Sequence, residues 1–362
     1  MIKVIAPGKL YIAGEYAVVD GMPSIVVALN QYITVEISAG HKYGSIISKQ
    51  YQASTIYWRR EGNQMIFDNR DNPFCYILSA IKITEQYARS LHVKLGLYHL
   101  KIDSQLDSPD GKKYGLGSSA AVTVATINAL CVFYHIPINK EQLFKLSAIA
   151  HFSVQGNGSL GDIAASVYGG WIAFRTFDHQ WLKIMQRNSS IKTLINMPWP
   201  NLKIEQLTVP ESLQLLIGWT GTPASTSHLV DKVSLGRAHN PEKYNQFLKA
   251  SKKCLIKMIH GFREGSLKLI KHEIAVNRKL LNQLGDFTKV DIETPQLKKL
   301  SRIAIHYGGS AKSSGAGGGD CGITVVNRQS PIKQILDEWK QNHIQPLKFK
   351  VTQQSSGVVH HD

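Results

Sequence analysis

Gly115-Leu116-Gly117-Ser118-Ser119-Ala120-Ala121 opens a stretch, residues 114–139, that contains no Asp, Glu, Lys or Arg. Two glycines let a backbone turn tightly and approach a ligand closely. Ser118 or Ser119 is placed to N-cap a following helix. The free N–H groups and positive dipole end of such a helix form an anion site. A capped helix after a tight turn needs the same residues, so the motif alone fits both roles. A membrane span needs about 20 predominantly apolar residues. Here Thr123, Thr126, Asn128, His135 and Pro137 interrupt the apolar run, and the unbroken helical part covers only 119–134. The stretch reads as a buried core helix.

Working outward, strand composition occupies 2–6, ended by Pro7-Gly8, and 24–37, where apolar and polar residues alternate. Helical spacing marks 73–90, and 95–103 alternates again. Beyond the uncharged helix, 140–151 reads as helix and 168–177 as strand. Met197-Pro198-Trp199-Pro200 punctuates the chain, which suggests domains of 1–199 and 200–362. The second half reads as strand 213–219, helices from 225 and over 241–284, helix 297–307, a glycine-rich loop over 308–319, strand 321–326, helix 331–341, strand 347–351 and a frayed tail from 353. Strands and helices without strict alternation indicate an α+β fold.

The chain has 362 residues, enough for two or three domains of roughly 100–200 residues each. Hydrophobic residues make up 43 % and charged residues 19 %, which excludes a disordered chain. Lys and Arg number 42 against 26 Asp and Glu, a net charge of +16 that favours anionic partners. Nucleic acid, an anionic membrane and polyphosphate metabolites all fit that charge. Nucleic acid is disfavoured, because the lysines of 249–279 fall on solvated helix faces and no aromatic-basic interleaving occurs. Cys75, Cys131, Cys254 and Cys321 form no C-x-x-C pair, and such sparse cysteines suit a reducing, cytoplasmic location. No signal-peptide h-region precedes Pro7-Gly8.

Two further small-residue segments stand far from the first: Pro7-Gly8-Lys9-Leu10 leading to Gly14-Glu15-Tyr16, and Lys312-Ser313-Ser314-Gly315-Ala316-Gly317-Gly318-Gly319-Asp320-Cys321-Gly322. The latter puts five glycines within 315–322, costly in chain entropy, and too few residues follow for another domain. It reads as a loop that closes over something bound. Familiar nucleotide motifs do not match. No G-x-x-x-x-G-K-[ST] occurs, and H-R-D and D-F-G are absent. A Rossmann fingerprint needs a strand directly before its first glycine, whereas strand composition ends near Asp103. Gly156-Asn157-Gly158-Ser159-Leu160-Gly161 also fits G-x-G-x-x-G, but without a clear strand before it.

Together the three segments resemble the GHMP kinase family, in kind, order and spacing, from residue 7 to residue 322. Gly161-Asp162-Ile163-Ala164 and Ile217-Gly218-Trp219-Thr220-Gly221 add to the likeness. Gly111-Lys112-Lys113-Tyr114 before the second segment resembles the family's phosphomevalonate kinase branch rather than its mevalonate kinases. The resemblance implies a ribosomal-S5-type N-terminal domain, a ferredoxin-like C-terminal domain and an active site between them. It implies transfer of a phosphoryl group from ATP, with Mg²⁺, to 5-phosphomevalonate, by a monomer or homodimer with no nucleic-acid or membrane partner.

The resemblance also assigns roles. Lys9 and Asp162 would be catalytic, Lys9 bridging the acceptor phosphate and the transferring group. Asp162 would orient Lys9 or the attacking oxygen, although a helix N-cap explains an Asp there as well. Lys113, Gly115, Leu116, Gly117, Ser118, Ser119 and Ala120 would hold ATP, with Ser119 on Mg²⁺. Glu15, Tyr16, Ser225, Ser313, Ser314, Gly315, Ala316 and Gly317 would hold the acceptor, Glu15 being either a second metal ligand or an ion-paired buried acid. Lys101 and Lys112 bind phosphate or are simply solvated. His151 and His228 show no metal spacing and read as packing residues.

Overall fold

The computed structural model describes residues 1–49, 55–67, 74–108, 114–222 and 226–359. In chain order its strands and helices are β1 (Ile2–Ala13), β2 (Ser24–Gly40), β3 (Gly44–Ser48), β4 (Thr55–Glu61), β5 (Gln64–Phe67), α1 (Cys75–Ser90), β6 (Leu97–Ser104), α2 (Ser118–Phe133), α3 (Lys140–Gln155), α4 (Gly161–Tyr168), β7 (Trp171–Arg175), α5 (His179–Asn188), α6 (Ile191–Asn196) and β8 (Lys203–Gln206). There follow β9 (Leu213–Trp219), α7 (Thr226–His239), α8 (Pro241–Arg263), α9 (Leu267–Thr288), α10 (Pro295–His306), β10 (Ser310–Ser313), β11 (Cys321–Asn327), α11 (Ile332–Gln341), β12 (Gln345–Leu347) and β13 (Gly357–Val358).

The large sheet runs β13-β1-β2-β6-β3-β4-β5 and forks at β2, whose first residues also pair with β7 and, through it, β8. α2 and α4 pack directly on its strands, and α1 and α3 pack in turn on α2. The central helix α2 buries residues all round, from Ala120 to Cys131, which suits its uncharged sequence. The small sheet, β10-β11-β9-β12, is antiparallel, with a helical connection from β9 to β10 and α11 between β11 and β12. This is the split β-α-β arrangement of a ferredoxin-like domain. One hydrophobic core runs from Val4 and Leu10 of β1 through α2 to Leu255, Met258 and Phe262 of α8. Trp171 and Phe262 rings meet across that junction with centroids 5.3 Å apart. The two halves therefore share apolar surface rather than only a linker.

Three expectations change in the fold. First, Pro7-Gly8 does not end the strand. β1 continues to Ala13, and the pairing register with β2 shifts between Pro7 and Gly8, where Pro7 faces Tyr32 and Gly8 faces Leu29. A bulge absorbs the missing proline N–H and re-aims the residues that follow. Second, the tail is not frayed from 353. Val4 and Ile5 pair with Val358 and Gly357, and the Ser356 N–H donates to Ser166 O at 3.1 Å. Third, the boundary between 199 and 200 cuts across the large sheet's pairing, since β8 pairs with β7 and β13 returns to β1. The glycine-rich stretch also resolves into β10, ending at Ser313, and a shorter loop after it.

His179 sits among aromatic rings at the start of α5, with Phe152 and Phe177 centroids 4.8 Å and 4.9 Å away. Burial and the neighbouring Lys183 charge hold its pKa below the ordinary 6.5, against the smaller opposing pull of Asp178. Burial does the same to His151. As pH falls below 6.5 the unfolded chain takes up these protons before the folded one does, so stability falls with it. The melting temperature is expected to drop between about pH 7 and about pH 5, and to drop less steeply in His179→Gln. Melting curves across that range check it.

Candidate active site

A cavity of about 480 Å³ opens where four segments converge: the second half of β1 with its following turn, the 115–119 turn into α2, the α3–α4 region, and the loop after β10. Lys9 enters from β1. Its backbone N–H donates to Leu116 O at 2.8 Å and its Nζ donates to Gly115 O at 3.0 Å. Its stem lies across Gly117, where a β-carbon would stand 2.9 Å from Lys9 Cγ. A β-carbon on Gly115 would stand 2.5 Å from Asp320 Oδ2. Both glycines have positive φ, 79° and 77°. Glycine is thus required twice over, by conformation and by space.

Gly117 itself occupies the N-cap position of α2, in the left-handed region, with no side-chain cap. The expectation that Ser118 or Ser119 caps the helix is therefore corrected. The left-handed turn at Gly117 is itself the non-helical residue that starts α2, so both serines fall inside the first helical turn. Ser118 and Ser119 line the cavity at the helix's positive end, and Ser119 Oγ lies 3.1 Å from His151 Nε2. His151 is fully buried and was expected only to pack.

Asp162 lies in the first turn of α4, but the cap position belongs to Leu160, which is left-handed at φ 65°. Asp162 Oδ1 accepts from the next backbone N–H, of Ile163, at 3.0 Å. The carboxylate lines the cavity. Among the described residues no ion pair joins it to Lys9. Tyr11 stands beside the lysine instead, with Lys9 Nζ 5.6 Å from the ring centroid. Burial and the Asp162 charge push the Tyr11 hydroxyl's pKa well up, and that hydroxyl shares a 2.6 Å hydrogen bond with Ser159. Tyr11 therefore stays neutral.

The opposite wall couples the two sheets. Lys312 of β10, fully buried, donates to Glu15 Oε1 at 2.5 Å and to Ser313 O at 2.6 Å. Glu15 is thus an ion-paired buried acid, while its Oε2 is buried without a hydrogen-bond partner. Tyr16 has φ 62° and ψ −55°, and the Ala17 N–H reaches back to Glu15 O at 2.7 Å, a strained γ-turn. The turn aims the Tyr16 hydroxyl at Ala316 O, to which it donates at 2.6 Å.

Of the expected site residues, Lys9, Glu15, Tyr16, Gly115, Leu116, Gly117, Ser118, Ser119, Asp162, Gly315 and Ala316 meet in the cavity. Ala120, Ser313, Ser314 and Gly317 do not line it. Ala120 is buried in α2, and Ser313 is buried in β10. The Ser314 hydroxyl donates to Tyr11 O at 2.7 Å, and Gly317 packs on Ile292 O. Lys101 is exposed and faces Glu36 at 3.4 Å, a solvated pair. Lys112, Lys113 and Ser225 lie outside the described residues. Tyr11, Asp107, His151, Ser159 and Asp320 also line the cavity without having been expected as site residues. Asp320 carried a sequence signal, its place at the end of the glycine run, and so did Ser159, inside the Gly156–Gly161 glycine pattern.

Removing Lys312 would leave Glu15 buried beside no cation, which costs about 3–5 kcal/mol. Lys312→Met is expected to lose stability on that scale, and Lys312→Met/Glu15→Gln to recover much of it. Urea denaturation of both variants checks this.

Known proteins resemble this chain over nearly its whole length. The family model described as GHMP kinases N terminal domain matches residues 76–170, and that described as GHMP kinases C terminal matches residues 258–345. A phosphomevalonate kinase from Streptomyces sp. (strain CL190) is 34 % identical over 355 residues, covering 94 % of this chain and 95 % of that protein. The structure of Streptococcus pneumoniae phosphomevalonate kinase in complex with phosphomevalonate and AMPPNP superposes with a TM-score of 0.85 at 29 % identity, covering 97 % of this chain and 100 % of that one. A Listeria innocua protein of known crystal structure superposes with a TM-score of 0.94 at 36 % identity, covering 99 % of each chain.

Proposed function

The chain belongs to the GHMP kinase family, and on that premise we propose that it is a phosphomevalonate kinase, moving the γ-phosphoryl group of ATP onto the phosphate of 5-phosphomevalonate. An oxygen of the acceptor phosphate attacks the γ-phosphorus, the bond to the β-phosphate oxygen breaks, and diphosphomevalonate and ADP leave. The observation that carries this reading is the likeness, over nearly the whole chain, to phosphomevalonate kinases, one of them bound to phosphomevalonate and AMPPNP.

The chemistry suits the cavity. A phosphate monoester is largely ionised at neutral pH, so its oxygen needs no strong base. The difficulty is to bring two polyanions together, and positioning with charge neutralisation meets it. The first turn of α2 offers its unpaired N–H groups and the Ser118 and Ser119 hydroxyls to the nucleotide phosphates. Lys9 gives one of its three N–H donors to Gly115 O and keeps two for phosphoryl oxygens at the meeting point. Asp162, which lines the same cavity, sets the orientation of the attacking group. Gly315, Ala316 and Tyr16 bound the acceptor end, with Lys113 and Ser225 assigned to nucleotide and acceptor respectively.

Magnesium fits this reading as a guest of the nucleotide. Among the described residues no cluster of three acidic, histidine or cysteine side chains forms a metal cage, yet Mg²⁺ takes one or two protein oxygens and completes its shell with phosphates and water. Ser119, on the cavity wall, is an oxygen of that kind. The bound ion would neutralise charge on the phosphates.

ADP release measured with Mg-ATP and, separately, mevalonate, 5-phosphomevalonate and 5-diphosphomevalonate tests the acceptor. Turnover with 5-phosphomevalonate alone is expected, and turnover with mevalonate alone would replace this reading by a mevalonate kinase. Loss of the Lys9 ammonium is expected to lower kcat by about 100-fold or more, the scale of a removed charge-stabilising donor. Lys9→Met, assayed alongside a circular dichroism spectrum to show that it folds, checks this.

A further inference from the structure

We propose that His151 is a positioning residue for Ser119, its ring Nε2–H donating to the Ser119 hydroxyl oxygen and so turning the hydroxyl hydrogen toward the nucleotide phosphates. The proposal rests on the reading of the cavity as a nucleotide site.

Three observations carry it. The first is that Ser119 is free for the task. Because Gly117 takes the N-cap position of α2 without any side-chain bond, the Ser119 hydroxyl is not spent on the helix end. A serine side chain has more than one staggered rotamer open to it, and a phosphate-binding hydroxyl left to rotate would lose freedom each time nucleotide bound. The second is that His151 is immobile. It lies on α3 with no exposed surface, and its ring stacks on Tyr76 at 4.9 Å between centroids and 28° between planes. A ring held this way, with Nε2 3.1 Å from Ser119 Oγ, selects one serine rotamer.

The third observation fixes the direction of the bond. His151 Nδ1 is buried with no hydrogen-bond partner. A neutral imidazole carries one N–H and one acceptor nitrogen. A proton on Nδ1 would bury an unsatisfied N–H, which native structures avoid more strictly than an unused acceptor. The proton therefore belongs on Nε2, where Ser119 Oγ accepts it. The serine's own hydrogen is left to point into the cavity, toward oxygens that are always acceptors. A donated hydrogen bond to an ionised phosphate is of the stronger, charge-assisted kind.

A merely packed histidine would show none of this coupling, so a double-mutant cycle separates the two cases. Binding of AMPPNP is measured by calorimetry for the wild type, Ser119→Ala, His151→Phe, His151→Gln and the Ser119→Ala/His151→Phe double variant. His151→Phe is expected to weaken AMPPNP binding by about tenfold, the scale of one hydrogen bond to a charged group. The double variant is expected to bind no more weakly than Ser119→Ala, and His151→Gln, which keeps an N–H donor, to recover part of the loss. Additive losses, or wild-type affinity in His151→Phe, would overturn the proposal. If His151→Phe does not fold, ¹⁵N NMR of the wild-type imidazole still decides: a proton on Nε2 is expected, and a proton on Nδ1 sinks the idea. None of these readouts depends on the acceptor, so a failed acceptor assay would remove the phosphomevalonate assignment without touching this one.

Discussion

The site depends on one close approach, that of the Lys9 side chain to the backbone of the turn before α2. A β-carbon at Gly117 would stand 2.9 Å from Lys9 Cγ, nearer than any side chain tolerates. That contact ties β1 to the helix N-terminus. It places the ammonium beside the same turn whose N–H groups face the cavity, and it makes glycine obligatory at 117. The left-handed conformation that glycine then adopts takes over the cap position, which releases the Ser118 and Ser119 hydroxyls. Cation, helix end and free hydroxyls follow from one steric fact. The strand bulge at Pro7-Gly8 serves it, because Gly8 lets β1 press against Leu106 and Leu116 just before Lys9.

A second constraint holds the halves of the cavity together. The Glu15–Lys312 pair is buried, and a buried pair is a poor source of net stability compared with apolar packing of the same volume. Its value lies in registry. Lys312 finds no other carboxylate near it among the described ion pairs, so β10 is held opposite the end of β1. The Tyr16 and Ser314 hydroxyls add two more bonds across the same junction, to Ala316 O and Tyr11 O. The glycine-rich loop thus starts from a rigid anchor. Residues 315–320 follow it, and Gly315 and Ala316 there reach the cavity.

Much of this was legible in the amino-acid order. The uncharged run after the glycines could only be a buried helix, and α2 buries all its faces. Strand composition over 213–219 and helical spacing over 241–284 mark elements found at those positions as β9, α8 and α9. The three small-residue segments carried the family, and residues from each of them line the cavity. Less visible were the places where a local signal was overruled. Pro7-Gly8 reads as a strand end because proline lacks an N–H, but a register shift against β2 accommodates it. The polar tail reads as frayed, but an open edge of β1 captures it.

The sequence by itself determined which residues are small, which are charged and in what order they occur; that order indicated the fold class, and the family resemblance it carries picked out Lys9, Asp162 and the serine pair, which line one cavity. Periodicity and glycine placement act over a few neighbouring residues, so they can be read along the chain. Tertiary structure alone decided the partnerships between residues far apart in the chain: Lys312 with Glu15, the Tyr16 hydroxyl with Ala316, and His151 with Ser119. Each depends on where two separate elements come to rest in a common core. A lysine, a tyrosine or a histidine looks the same in sequence whether it faces water or a buried partner.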